Sequence, residues 1–400
     1  MEKTIASWFF LRPTITTFQL EPEQHPEFVF GTRERAQRDH LFEEIEGASF
    51  GDAGFKAVVF GDYGRGKTRM CQNLRFEIQR AGLRIAPIYV KCSSFTSKAP
   101  FYALFREMIL KHPTNEVMRI ATEYGRLVAA QKAQPLIEIV QSEDIALVMS
   151  KGLQMLDPDM VRTCMRWLSG EPKVAMDGVS KTIKPQLTDS SEFGAVMRGL
   201  SHMIAAVDRK VVVYFIDEAE RFNNITNADA FTVWLVSLRE LTEIAGVGLI
   251  FFVGAVSRNE LPVLLLQEEI MRRIGIVNYI EFLNPSRDDL RAFLKELFST
   301  CIRKGEVPEP HRLVAPQDVL DSTIPEELSA ITNGEADRLE AYPFEPEALD
   351  EFVEDVAAGG ATNKPSEVLK RLLKATQRAI RKDRRTIDPS IVREINAEGV

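Results

Sequence analysis

Phe55-Lys56-Ala57-Val58-Val59-Phe60-Gly61-Asp62-Tyr63-Gly64-Arg65-Gly66-Lys67-Thr68 decides how the rest of the chain is read. Its first six residues are mostly apolar and predict a buried strand. Gly61 to Thr68 then match Gly-x-x-x-x-Gly-Lys-Ser/Thr. The glycines let backbone N–H groups turn inward around phosphate oxygens. Lys67 reaches the β- and γ-phosphates, and Thr68 offers a hydroxyl to Mg²⁺ at the positive end of the helix that follows. That helix is predicted over Thr68–Ala81, stopped by Gly82. Gly61, Asp62, Tyr63, Gly64, Arg65, Gly66, Lys67, Thr68 and the adjoining Arg69 are therefore the candidate nucleotide-binding residues.

Outward from this loop, strands and helices alternate. A helix is expected from Thr32 to about Glu46, ended by Gly47. Further strands are expected at Leu83–Lys91, Val211–Ile216, Gly246–Val256 and Val277–Leu283. Helices are expected at Phe101–Leu110, Phe193–Val207, Ala230–Ile244, Glu268–Ile274 and Arg287–Ile302. Five apolar strands with helices between them predict an α/β fold with a doubly wound parallel sheet. Residues 113–190 interrupt the alternation and read as a helical insertion. Within it, 169–190 has loop chemistry, and Lys173, Lys181 and Lys184 read as a surface loop or as a contact for DNA or peptide. Residues 1–30 read as an extended arm, because Pro13, Pro22 and Pro26 block helix. Its Trp8-Phe9-Phe10 patch is expected to pack on this chain or on a neighbouring subunit.

Val211-Val212-Val213-Tyr214-Phe215-Ile216-Asp217-Glu218 is an apolar strand closed by two carboxylates. In an open α/β sheet, ligands bind at the carboxyl ends of the strands. Asp217 there would hold Mg²⁺, and Glu218 would orient and deprotonate an attacking water. The bland alternative is a helix N-cap at Asp217. The second acid favours hydrolysis over phosphate transfer to a small molecule, which needs no such base.

The chain has 400 residues, 45% hydrophobic and 27% charged, with net charge −8. These values exclude collagen-like and wholly disordered classes, and the charge argues against a basic nucleic-acid coat protein. The balance is uneven. Residues 306–363 carry 15 acids against 2 arginines, whereas 364–385 carry 9 basic residues against 2 acids. Cys71, Cys92, Cys164 and Cys301 are scattered, which predicts neither a disulfide framework nor a zinc site and fits a cytoplasmic protein. No run suggests a membrane span.

Together, the loop and the acidic pair resemble the AAA+ superfamily of ATPases, in its replication-initiator and STAND-like branch. The resemblance implies a P-loop NTPase core over 31–305 and a helical lid over 306–400, with ATP and Mg²⁺ as cofactors. Phe30-Gly31-Thr32-Arg33-Glu34 is similar to the family segment near the adenine. Ser257, with Asn259 in reserve, matches the polar sensor 1 position, or is a simple strand-end turn. Arg272 and Arg273 stand where the family carries an arginine finger that reaches a neighbouring subunit's γ-phosphate; the alternative is a solvated helix end. Gly359 to Ser366 leads into the lid helix. Lys364 there either replaces the family's sensor 2 arginine or marks its loss. A narrower likeness, over Phe60–Thr68 and Phe101–Met108, is to ATP-binding proteins of BREX-type phage-exclusion systems. Target-selection ATPases of bacterial transposons share the plan.

The implied function is ATP hydrolysis in a ring or filament of identical subunits, acting on DNA or DNA-bound partners within a multi-gene system. A slow nucleotide-gated adaptor is the second reading. In Pro365–Lys382, an apolar stripe of Leu369, Leu372, Leu373 and Ile380 faces a basic stripe of Lys370, Lys374, Arg378, Arg381 and Lys382. The basic stripe reads either as a solvated face or as a contact for phosphate or for a neighbour's acidic block.

Overall fold

Val211–Asp217 is buried at every position, which only the centre of a sheet covered on both faces can arrange. The structure, a computed structural model, describes residues 3–50, 54–92, 101–282, 285–305, 323–358 and 364–397. The strands are β1 (Lys56–Gly61), β2 (Ile85–Lys91), β3 (Val211–Asp217), β4 (Val247–Gly254) and β5 (Tyr279–Glu281). They form one sheet in the order β2-β3-β4-β1-β5. All pairings are parallel, with Lys91 beside Asp217 and Gly61 beside Gly254. The register thus sets the end of β1, the acidic end of β3 and the end of β4 along one carboxyl edge. Ligands of open parallel sheets bind along such an edge.

The chain divides into two compact units. One comprises residues 41–61 and 78–281, the other 1–40, 62–77 and 282–400. The first contains the sheet and the helical stretch 113–190. Helices Thr114–Ala129 and Pro158–Leu168 bury Val117, Ile120, Tyr124, Val161, Cys164 and Trp167. A π-helical turn, Val148–Gly152, lies between them. The helix Ser190–Asp208 starts with a reciprocal cap between Asp189 and Glu192.

The second unit has its own apolar core. Phe9, Phe18, Phe28 and Phe30 pack with Leu294 and Phe298 of helix Arg287–Cys301 and with Phe344, Phe352 and Leu372. Beyond one helical turn, Ile5–Trp8, the described residues 3–30 form no regular element, but they supply much of this core. Arg12 is wholly buried and donates to the carbonyls of Thr300 at 3.0 Å and Gly305 at 2.6 Å. It satisfies a helix end that would otherwise be left unpaired. Trp8 Nε1 donates to the Arg384 carbonyl at 2.7 Å, with the Arg385 guanidinium 4.0 Å from the ring centroid. The aromatic patch therefore packs on its own chain.

Four expectations need correction. The helix from Thr32 runs to Ser49, through Gly47. A helical glycine costs only about 1 kcal/mol relative to alanine, less than a stop requires. β5 is three residues long, because Ile276–Asn278 forms a 3₁₀ turn after Gly275 at φ +88°. The 169–190 segment has no regular structure but is pinned: Val174, Met176, Val179 and Leu187 are buried, Trp167 Nε1 donates to the Lys184 carbonyl at 2.8 Å, and Lys184 pairs with Glu192. Lys173 and Lys181 stay exposed. In the helix Pro365–Arg381 the buried stripe is Val368, Leu372, Ala375 and Ala379, one step from the stripe expected, and Arg371 is buried against Asp355.

Arg378 of that helix and Lys382 just after it pair with Glu394, and Lys370 pairs with Glu367, while Lys374 and Arg381 are exposed. The described acids of 323–358 are partly matched from within the unit, by Arg287 with Glu354, Arg291 with Asp350 and Lys295 with Glu340. Residues 306–322 of the acidic block, and Gly359 to Asn363, lie outside the described residues.

Candidate functional site

On the phosphate loop, Gly64 and Gly66 have φ of +79° and +90°, the left-handed region that only glycine adopts without strain. At Gly66 a Cβ would meet nothing within 4 Å, so the backbone there lies open. The helix Lys67–Arg80 starts directly after it. Open backbone with positive φ at a helix start fits a phosphate.

Asp62 organises the charges of this loop. Its Oδ1 accepts the Tyr63 N–H at 2.7 Å, its Oδ2 lies 2.8 Å from Lys364 Nζ, and its carbonyl accepts Lys67 Nζ at 2.9 Å. Partial burial pushes the carboxyl pKa up. The bonds from Lys364 and Tyr63, with the charges of Lys364 and Arg65, outweigh it and hold the group below the usual carboxylate range. The Ser366 N–H donates to the Gly64 carbonyl at 3.2 Å. The start of the helix Pro365–Arg381 thus lies against the loop, with Lys364 paired to Asp62.

Two arginines of the candidate set point to protein instead. Arg65 is buried and donates to the Phe282 carbonyl. Arg69 donates to the carbonyls of Leu20, His25 and Phe28, and Asn73 Nδ2 to that of Pro26 at 2.8 Å. They tie residues 20–28 to the loop helix. Gly31 N donates to Glu296 Oε2 at 3.0 Å, and Arg35 pairs with the same glutamate, so the Phe30–Glu34 segment is held from its own unit.

At the end of β3, Asp217 Oδ1 accepts the Glu218 N–H at 2.9 Å and Oδ2 accepts the Tyr89 hydroxyl at 3.0 Å. Glu218 has φ +56°, a left-handed conformation that costs a non-glycine residue about 1–2 kcal/mol. It opens a 3₁₀ turn, Ala219–Asn224, and its carboxylate lies 3.0 Å from Lys91 Nζ. Glu220 Oε2 accepts the Gly254 N–H at 2.8 Å, fixing the end of β4. Burial and the charges of Asp217, Glu220 and Glu218 push the Cys92 thiol up, which keeps it unreactive.

Ser257 lies past β4 at the head of the turn Arg258–Glu260 and caps it with no side-chain bond. Asn259 is exposed. On the helix Glu268–Ile274 the two arginines differ. Arg273 bonds Glu243 and the Glu269 carbonyl. Arg272 is exposed and makes no side-chain hydrogen bond or ion pair among the described residues. Ile276 and Val277 beside it are 66% and 86% exposed.

Sequence reasoning missed Tyr89, Lys91 and Glu220. The signal for the first two lay in strand alternation: Ile88 and Val90 face one side of β2, leaving Tyr89 and Lys91 together on the other at its carboxyl end. Glu220 gave no signal, because its role depends on the turn after Glu218. Among the described residues no cluster of three or more His, Cys, Asp or Glu is arranged to hold a metal ion unaided. No described helix is long and apolar enough to cross a membrane.

No protein-family model and no curated protein matches the chain. Solved structures with a similar course include the Aeropyrum pernix ORC2 protein in ADPNP and ADP complexes, at 10% identity and TM-score 0.49, covering 94% of this chain and 71% of that one. The Aeropyrum pernix ORC1 protein in complex with DNA aligns at 14% identity and TM-score 0.46, over 94% and 67% of the two chains. Domain III of the Thermotoga maritima replication initiation protein DnaA aligns at 11% identity and TM-score 0.41, over 97% and 98%. Likenesses this distant leave the functional reading to the residues themselves.

Proposed function

We propose that the chain is an ATPase of the AAA+ type, with a core over 31–305 and a lid over 306–400. The observation that carries this reading is the sheet register. It puts the end of β1, from which the phosphate loop issues, on the same carboxyl edge as Asp217 and Glu218. Lys67 and the loop amides bind the phosphates of ATP, and Thr68 and Asp217 hold Mg²⁺. The ion supplies charge neutralisation on the phosphates. Glu218, once released from Lys91, takes the proton of the attacking water. Ser257 is a polar contact beyond β4. Lys364 supplies a cation from the lid. Of the two finger candidates we favour Arg272, because Arg273 is already engaged by Glu243 and a helix carbonyl. A finger acting in trans requires a ring or filament of identical subunits.

DNA or DNA-bound partners are the proposed targets, in the cytoplasm. The likeness of Phe60–Thr68 and Phe101–Met108 to BREX-type ATP-binding proteins supports a place in a multi-gene phage-defence system. A second reading, a slow nucleotide-gated adaptor, is favoured by the internal pairing of Glu218 with Lys91. ATP hydrolysis at low salt, with and without double-stranded DNA and with Lys67→Ala as blank, separates the two. Stimulation that fades as salt rises supports the DNA-acting ATPase. Slow turnover indifferent to DNA supports the adaptor, and turnover equal to the blank overturns the hydrolase.

A further inference from the structure

Asp62 is the one acid on the phosphate loop, and it meets both lysines that the site offers to an anion. Its carbonyl takes Lys67 and its carboxylate takes Lys364. The ion pair is shielded, with the Lys364 and Asp62 side chains only 21% and 19% exposed. A backbone bond reinforces it, from Ser366 N–H to the Gly64 carbonyl. The approach is close enough that a Cβ on Gly64 would come within 2.0 Å of Ser366 Oγ. Glycine at 64 therefore serves the lid contact as well as the turn.

We infer that Asp62 is an internal stand-in for phosphate: its carboxylate holds Lys364, and with it the head of the helix Pro365–Arg381, on the loop until the terminal phosphate of a nucleoside triphosphate takes Lys364 by exchange. The inference rests on the nucleotide reading of the loop given above. Its physical basis is competition for one ammonium. A phosphate with two negative charges and three acceptor oxygens outbids a single carboxylate, and it meets Lys67 as well. A diphosphate lacks the group that reaches Lys364, so it leaves the pair intact. Discrimination between triphosphate and diphosphate then resides in the exchange. No covalent step is involved.

The test is equilibrium binding of ATP and ADP to the full chain carrying Asp62→Asn, Lys364→Ala or both. Asparagine keeps the acceptor for the Tyr63 N–H, so the loop turn is preserved. Removing the internal competitor should tighten ATP by about five- to tenfold, the range of one charge-assisted bond, and leave ADP unchanged. In the Lys364→Ala background Asp62→Asn should change neither. Hydrogen exchange without nucleotide should also speed up over residues 364–368 in Asp62→Asn. Equal tightening of ATP and ADP, or the same tightening without Lys364, would make Asp62 a repelling charge only and overturn the exchange. So would unchanged ATP affinity. Wild-type protein that binds neither nucleotide overturns the nucleotide reading itself, a result distinct from a wild type that binds both but is indifferent to Asp62.

Discussion

At the end of β3, Glu218 meets Lys91 from the neighbouring strand; on the phosphate loop, Asp62 meets Lys364 from a helix far along the chain. Both pairs offset a charge that the proposed chemistry needs. They are built differently. The acidic end is fixed by a wholly buried strand, by a left-handed backbone at Glu218 and by hydrogen bonds that take both oxygens of Asp217. The loop is fixed by glycine freedom and by long-range contacts to Phe282, Lys364 and Ser366. The acidic end is the rigid half of the comparison, and the loop, held by an ion pair that can exchange, is the adjustable half.

The largest expected effect lies in the loop. Lys67→Ala should weaken ATP binding by about 100-fold or more, the loss of a preorganised cation at the phosphates. Titration with a fluorescent ATP analogue measures it, and a variant that binds normally would remove the loop from the site. The rigid half has an acid weakness of its own. His112 and Tyr214 of β3 are buried together, 2.8 Å apart, and burial pulls the His112 pKa down to about 4. The folded form therefore favours neutral imidazole. Its contribution is full above the unfolded value near 6.5 and is lost as pH falls toward 4, by up to about 3 kcal/mol. His112→Phe should flatten this acid limb, followed by the fluorescence of the buried Trp167 and Trp234; an unchanged limb would place the weakness elsewhere.

Arg272 and Arg273 sharpen the contrast between an available charge and an engaged one. Arg272→Ala should cut turnover about tenfold at high protein concentration, with binding and stability intact. Arg273→Ala should instead lower stability by about 1 kcal/mol, the scale of a partly buried ion pair. The reverse pattern would exchange their roles. The smallest effect is expected at Lys91. Lys91→Met removes the cation that holds Glu218 and should raise basal turnover about threefold, as the Glu218 carboxylate is released from its ion pair. A fall in turnover would mean that Lys91 positions Glu218 productively.

The five strands and the two motifs were legible because each is local. A buried parallel strand must be apolar throughout, and a phosphate loop needs its glycines and lysine at fixed spacing. What the sequence concealed was pairing between distant residues. Nothing in Lys91 announces Glu218, and the acid in Gly61-Asp62-Tyr63-Gly64 gives no hint of Lys364. The pinned 169–190 segment misled for a related reason: its glycines, prolines and lysines are loop chemistry, while its anchors are single apolar residues, too sparse to form a period. Gly47 and β5 show the remaining error. Helix ends and edge strands are set by small energies that tertiary packing overrides.

The central claim is that the loop and the acidic pair serve one hydrolytic reaction. Single-turnover hydrolysis of ATP by Glu218→Gln, measured beside its ATP affinity, tests this most directly. The account predicts wild-type binding with hydrolysis slowed by about 10²- to 10⁴-fold, the usual weight of a general base. Hydrolysis at the wild-type rate by a variant that binds ATP normally would contradict it.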